Sequence, residues 1–105
     1  MKLPAKARVA GYDCKIIRTK FEYDAEGFAN WGAFCTDTYE IEIAESEHFK
    51  DDALIASTVI HELGHAINCI YGLPDDEKMV RKVEMIVVQI LRDNKTLFRR
   101  IIRAL

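Results

Sequence analysis

The chain contains the run His61-Glu62-Leu63-Gly64-His65, with a carboxylate beside the first of two histidines four positions apart. On a helix, that spacing stacks the two side chains one turn apart on a single face. Both imidazoles can then close on one Zn²⁺ without bending the backbone. Glu62 lies about 100° around the helix from His61, outside the two-histidine grip. From there it can lean over a metal-bound water and take its proton, which is the division of labour in the H-E-x-x-H pattern.

The surrounding residues decide between that chemistry and a solvated helix with two surface histidines. Val59, Ile60, Leu63, Ala66, Ile67 and Ile70 mark the helix as a core element. Ser57, Thr58, His61, His65 and Asn68 form a polar strip on the other side that can line a cleft. Gly64 puts a small residue between the two histidines.

A catalytic zinc takes three protein ligands and leaves the fourth position to water. No histidine follows His65, which excludes the downstream H-E-x-x-H-x-x-G-x-x-H arrangement. His48, the remaining histidine, lies upstream in Glu45-Ser46-Glu47-His48-Phe49. A carboxylate from the next helix is the better candidate. There Met79, Val80, Val83, Ile86, Val87, Ile90 and Leu91 outline a buried arc, and Glu84 falls inside it. An unpaired carboxylate in that arc would cost several kcal/mol, which a metal ion would offset. The bland alternative for Glu84 is an ion pair with Arg81 or another basic side chain. Glu77, two turns earlier on almost the same line, competes for the ligand role, but its place at the helix start also suits capping. Cys69 falls about 80° from His61 on the helix, against about 40° for His65, so it is not assigned as a ligand.

The elements that position these residues follow in chain order. Val9-Ala10 and Ile16-Ile17, joined through Gly11-Tyr12-Asp13, predict two short strands or one bent ribbon. Residues 22–32 read as an irregular crossing anchored by Trp31 and Phe34. Tyr39 to Ala44 alternates, with Tyr39, Ile41 and Ile43 on one face and Glu40 and Glu42 on the other. Its charged face suits an edge strand, and such a strand beside the motif helix could pair with an extended substrate. The motif helix is expected from Asp51 or Asp52 to Tyr71, stopped by Gly72 and Pro74. A second helix follows from about Glu77 to Arg92, and a third, capped by Asn94, from Lys95 to about Arg103. Strands first and helices second predict an α+β fold: a short antiparallel or mixed sheet, the motif helix, and two further helices.

One hundred and five residues, half of them hydrophobic, are expected to form a single domain over 1–105 with one core. No uninterrupted apolar run reaches membrane-spanning length, and Met1 to Lys6 has no apolar segment of a secretory signal, so a cytoplasmic location is expected. Cys14, Cys35 and Cys69 are odd in number and widely spaced, which reads as buried free thiols. The net charge of −2 is unevenly spread: eight acids and no Lys or Arg lie between Phe21 and Phe49. The tail from Arg92 carries Lys95, Arg99, Arg100 and Arg103 against Asp93 alone. Without interleaved aromatics that tail predicts no nucleic-acid partner, and no membrane partner is expected either.

Thr58 to Ile67 reads Thr-Val-Ile-His-Glu-Leu-Gly-His-Ala-Ile, followed by Tyr71-Gly72-Leu73 and Leu91-Arg92-Asp93-Asn94. With a glutamate nineteen positions beyond His65, these stretches resemble the gluzincin arrangement. More narrowly, they resemble the small zincins of the ImmA/IrrE type and their minimal phage- and prophage-encoded relatives. The resemblance spans roughly residues 7 to 100 and implies a minimal zincin-like fold. It also implies a Zn²⁺ cofactor, His61, His65 and Glu84 as ligands, and Glu62 as general base. The Glu-x-x-Ala-Asn pattern of the larger family is absent; Val83-Glu84-Met85-Ile86 stands there instead.

The expected activity is zinc-dependent hydrolysis of peptide bonds, with a peptide or protein as the partner. Tyr71, Tyr39 and His48 are candidates for a second oxyanion donor. The rival class is a non-catalytic, zinc-stabilised protein-interaction module, which shares the ligands but has no use for Glu62.

Overall fold

A computed structural model describes residues 1–20, 31–45, 47 and 49–105. Most of the predicted crossing at 22–32, and His48, lie outside the described residues. The order is β1 (Lys6–Val9), β2 (Tyr12–Thr19), β3 (Gly32–Cys35), β4 (Glu40–Ala44), α1 (Asp52–Ile70), α2 (Glu77–Asp93) and α3 (Lys95–Ala104). This is the expected α+β arrangement, with a mixed sheet followed by three helices.

β1 and β2 form a hairpin across Ala10 and Gly11, both at positive φ, as a two-residue turn requires. β2 then runs parallel to β4, with Ile16 opposite Ile41, and β3 pairs antiparallel to β4. The sheet order is β1-β2-β4-β3. This corrects the expectation that Tyr39 to Ala44 is an edge strand: β4 is flanked on both sides, and among the described strands β1 and β3 are the outer ones. Its alternation places the fully buried Ile41 and Ile43 on the core face, while Glu40 and Glu42 point the other way, half-buried. Ile41 and Ile43 pack with Cys14, Phe49 and Ile55, and Trp31 and Phe34 lie against that cluster. The Trp31 and Phe49 rings stand 5.2 Å apart. Of the three cysteines, all free, only Cys14 is buried; Cys35 and Cys69 are half-buried.

Asp51 starts α1 by accepting a hydrogen bond from the Leu54 amide at 2.9 Å. Gly72, at φ +67°, turns the chain after the helix, as its sequence position predicts. By length and composition α1 could cross a membrane, although no uninterrupted apolar run is that long. Here it packs on the sheet instead, with Val59, Leu63 and Ile70 against the core cluster.

Asp76 caps α2 through the Lys78 amide. Helices α1 and α2 approach closely where Gly64 meets Val80. A Cβ on Gly64 would stand 3.1 Å from Val80 Cγ1, so the small residue between the histidines lets α2 reach them. The arc predicted as buried on α2 is mostly not: only Val80 is, whereas Met79, Val83, Ile86, Ile90 and Leu91 are exposed. No described element covers that face: α2 packs on α1 along the side that carries Glu77, Val80 and Glu84, and α3 follows it in the chain. Asn94 precedes α3 as expected, but its side chain donates back to the Ile90 carbonyl at 2.9 Å instead of capping.

Candidate metal centre

Helix α1 presents His61 and His65 one turn apart, with ring centroids 4.9 Å apart. Their Nε2 atoms face each other at 3.2 Å. Glu77, the first residue of α2, closes over the pair: Oε1 lies 2.8 Å from His61 Nε2 and Oε2 lies 2.8 Å from His65 Nε2. Among the described residues these three form the one group whose potential ligand atoms all lie within 4.8 Å of one another.

The donor set fits a metal ion. Two nitrogens bound tetrahedrally to zinc at 2.0–2.1 Å stand about 3.3 Å apart, close to the observed separation. Two Nε2 atoms and a carboxylate converging on one point need protons or a cation between them. Glu84, named from the sequence as third ligand, is not in that group. Its Oε1 lies 3.3 Å from Nδ1 of His61, on the far side of the ring. The competitor, Glu77, is the carboxylate that the structure brings onto both Nε2 atoms.

Glu62 is buried, 5% exposed, beneath β3. A Cβ on Gly32 would stand 3.0 Å from Glu62 Cγ and 2.8 Å from Thr58 Cγ2, so the edge strand lies directly on the site helix. Burial pushes the Glu62 carboxyl up to about 7. The charge of His65 opposes this, and those of Glu77, Asp75 and Glu84 add to it. A carboxyl that titrates near neutrality is matched to proton transfer at that pH.

Asp75 lies in the turn between α1 and α2. Its Oδ1 lies 2.8 Å from His65 Nδ1 and accepts from Asn68 Nδ2 at 3.1 Å. Burial of the His65 ring disfavours its charged form. The hydrogen bond and charge of Asp75, with Glu62 and Glu77, outweigh that and raise its pKa. Burial likewise pushes Asp75 up, but the hydrogen bonds from Asn68 and His65 and the histidine charges bring it below the ordinary carboxylate value.

These groups lie on one wall of an open cleft of about 720 Å³, and Gly32, Ala33 and Phe34 of β3 lie along it. Arg81, suggested as a partner for Glu84, instead pairs with Glu77 at 3.5 Å and is the only Lys or Arg among the cleft's described lining residues. Neither of the two described oxyanion candidates lines the cleft: Tyr71 is exposed, and Tyr39 sits against Tyr12 and Phe34.

A sheet backing a helix with two convergent histidines, and a buried glutamate beside them, defines a metallopeptidase-type centre. A family model described as metallo-peptidase family M12B, reprolysin-like, matches residues 4–69, and the chain belongs to that family. The match covers the sheet and most of α1, ending before Tyr71. No curated protein and no solved structure matches the chain significantly. In the extended H-E-x-x-H-x-x-G-x-x-H pattern, glycine and the third histidine would fall at Asn68 and Tyr71. The third histidine of that pattern is therefore absent here, and among the described residues the carboxylate of Glu77 is the group that joins the two histidines.

Proposed function

We propose that the protein is a zinc-dependent endopeptidase in which His61, His65 and Glu77 hold the metal and Glu62 is the general base. The observation that carries this reading is the Glu77 carboxylate spanning both Nε2 atoms at 2.8 Å beside the buried Glu62. When bound, zinc supplies Lewis-acid polarisation of the scissile carbonyl and acidifies water.

Glu62, held under β3 beside the two histidines, takes the proton of the attacking water and returns it to the leaving amine. Among the described strands β3 is a sheet edge, and it lies along the cleft, so an extended peptide can add to it by backbone pairing. Arg81 places a positive charge at the rim, suited to a developing oxyanion or to a peptide carbonyl. The glutamate donated by a second helix supports placement near the gluzincins, and the motif helix supports the ImmA/IrrE-type resemblance.

The test is zinc stoichiometry by elemental analysis together with cleavage of a mixture of denatured proteins read by labelling new N-termini. One zinc per chain, with cleavage lost in Glu62→Gln and zinc retained, supports the reading. No zinc uptake, or cleavage unchanged in Glu62→Gln, refutes it.

A further inference from the structure

Every imidazole has two nitrogens, and which one can bind a metal depends on which one carries the proton. At this site the two sides of each ring meet different partners. The Nε2 atoms converge on each other and on Glu77, whereas each Nδ1 meets a separate carboxylate: Asp75 at His65, 2.8 Å, and Glu84 at His61, 3.3 Å. An ionised carboxylate only accepts, so Glu77 draws protons toward the Nε2 atoms when no cation is there; with a cation between Glu77 and the Nε2 atoms, the carboxylates beside Nδ1 hold the ring proton on that side.

We propose that Asp75 and Glu84 are positioning residues that fix His65 and His61 in the tautomer and orientation that offer Nε2 to a metal ion. This rests on the metal-binding reading above and assigns two carboxylates that the ligand set does not use.

Their origins in the chain fit the role. Glu84 follows Glu77 by seven residues, about two helical turns, so α2 presents both carboxylates along one line. His61 lies between them, with Glu77 on Nε2 and Glu84 on Nδ1. Asp75 comes from the preceding turn and is steadied by Asn68, which sits on α1 just beyond His65 and donates to the same Oδ1 atom. Glu84 keeps a side-chain exposure of only 19% and the His61 ring 13%, so water competes little for that contact, whereas Asp75, 46% exposed, meets the His65 ring at the rim of the site. The two nitrogens of one ring point in divergent directions. A group on Nδ1 therefore cannot share an ion with groups gathered at Nε2.

The test compares wild type with Asp75→Ala, Asp75→Asn, Glu84→Ala and Glu77→Ala. Zinc affinity is measured against a competing chelator, and histidine tautomers are read by long-range ¹⁵N–¹H NMR of the zinc-loaded proteins. The expected result is one zinc per wild-type chain, with both rings protonated at Nδ1. Asp75→Ala and Glu84→Ala should each weaken zinc by about 10- to 100-fold while keeping the stoichiometry. Asp75→Asn, whose amide oxygen can still accept, should recover part of the loss, and Glu77→Ala should lose stoichiometric binding.

Wild-type affinity and tautomers in both alanine variants at Asp75 and Glu84 would overturn this proposal alone. So would Glu84→Ala abolishing stoichiometric zinc while Glu77→Ala keeps it, because Glu84 would then be a ligand. A wild type that takes up no zinc overturns the metal reading, and this proposal with it.

Discussion

Nε2 of His61 and Nε2 of His65 stand 3.2 Å apart, with the Glu77 carboxylate 2.8 Å from each. Without a cation, protons must hold this arrangement together; with one, the same atoms become ligands. Loading should therefore stabilise the fold. Free zinc at 100 times its dissociation constant adds about 2.7 kcal/mol by mass action, which for a chain this short is a Tm increase on the order of 10 °C. Thermal melting with zinc and with chelator should show that shift in wild type and a largely abolished shift in Glu77→Ala.

Glu62→Gln preserves shape and removes the base. Cleavage should fall by about 10²- to 10⁴-fold, the usual contribution of a positioned acid–base group. Zinc content should be unchanged, because the Glu62 carboxylate is not in the group of convergent ligand atoms. Parallel elemental analysis and peptide-cleavage assays check both halves of this expectation.

The close seat of β3 on α1 gives a third expectation. In Gly32→Ala the new methyl would meet Thr58 Cγ2 at 2.8 Å and Glu62 Cγ at 3.0 Å. The strand must lift or Glu62 must move, at a cost of about 1–3 kcal/mol. Denaturant unfolding should show the loss of stability, and cleavage should fall further than the change in folded fraction explains.

The histidines and Glu62 were legible in the sequence because their geometry is local: a four-residue interval on one helix fixes which side chains converge. Choosing between Glu77 and Glu84 was not a local matter. Both lie on one line of α2, and the choice depends on how that helix sits against α1, which the Gly64–Val80 contact and the turn at 71–76 determine. Asp75 was hidden for the same reason, since its contact with His65 exists only once the turn has folded back. The sheet order is not legible in the sequence, because β2 pairs in parallel with β4 across a long stretch of chain, and alternation within one strand reports its faces but not its neighbours. Hydrophobic periodicity likewise located α2, while most of its apolar arc is exposed. Periodicity identifies a face, not what covers it.

Stability should depend on pH with opposite signs in the metal-free and zinc-loaded protein. In the metal-free fold, Glu62 is raised from its ordinary 4.5 to about 7. Between those values the unfolded chain has released a proton that the folded chain still holds, so stability falls as pH rises. His65, raised above 6.5, acts in the same direction: its contribution is present below 6.5 and is lost as pH climbs through the folded value. Asp75 opposes them only in acid. Its pKa is lowered from 3.8, so its contribution is present above that value and lost as pH falls through the folded one. Zinc reverses the neutral-range slope, because the ligands must shed protons to bind it and binding strengthens as pH rises. Denaturant unfolding across pH 5 to 8 should give a falling profile in chelator and a rising one in excess zinc. Glu62→Gln should flatten the chelator profile in its lower half and leave the zinc profile rising. A chelator profile that rises with pH in the wild type would contradict the burial of an uncompensated carboxyl beside the histidines.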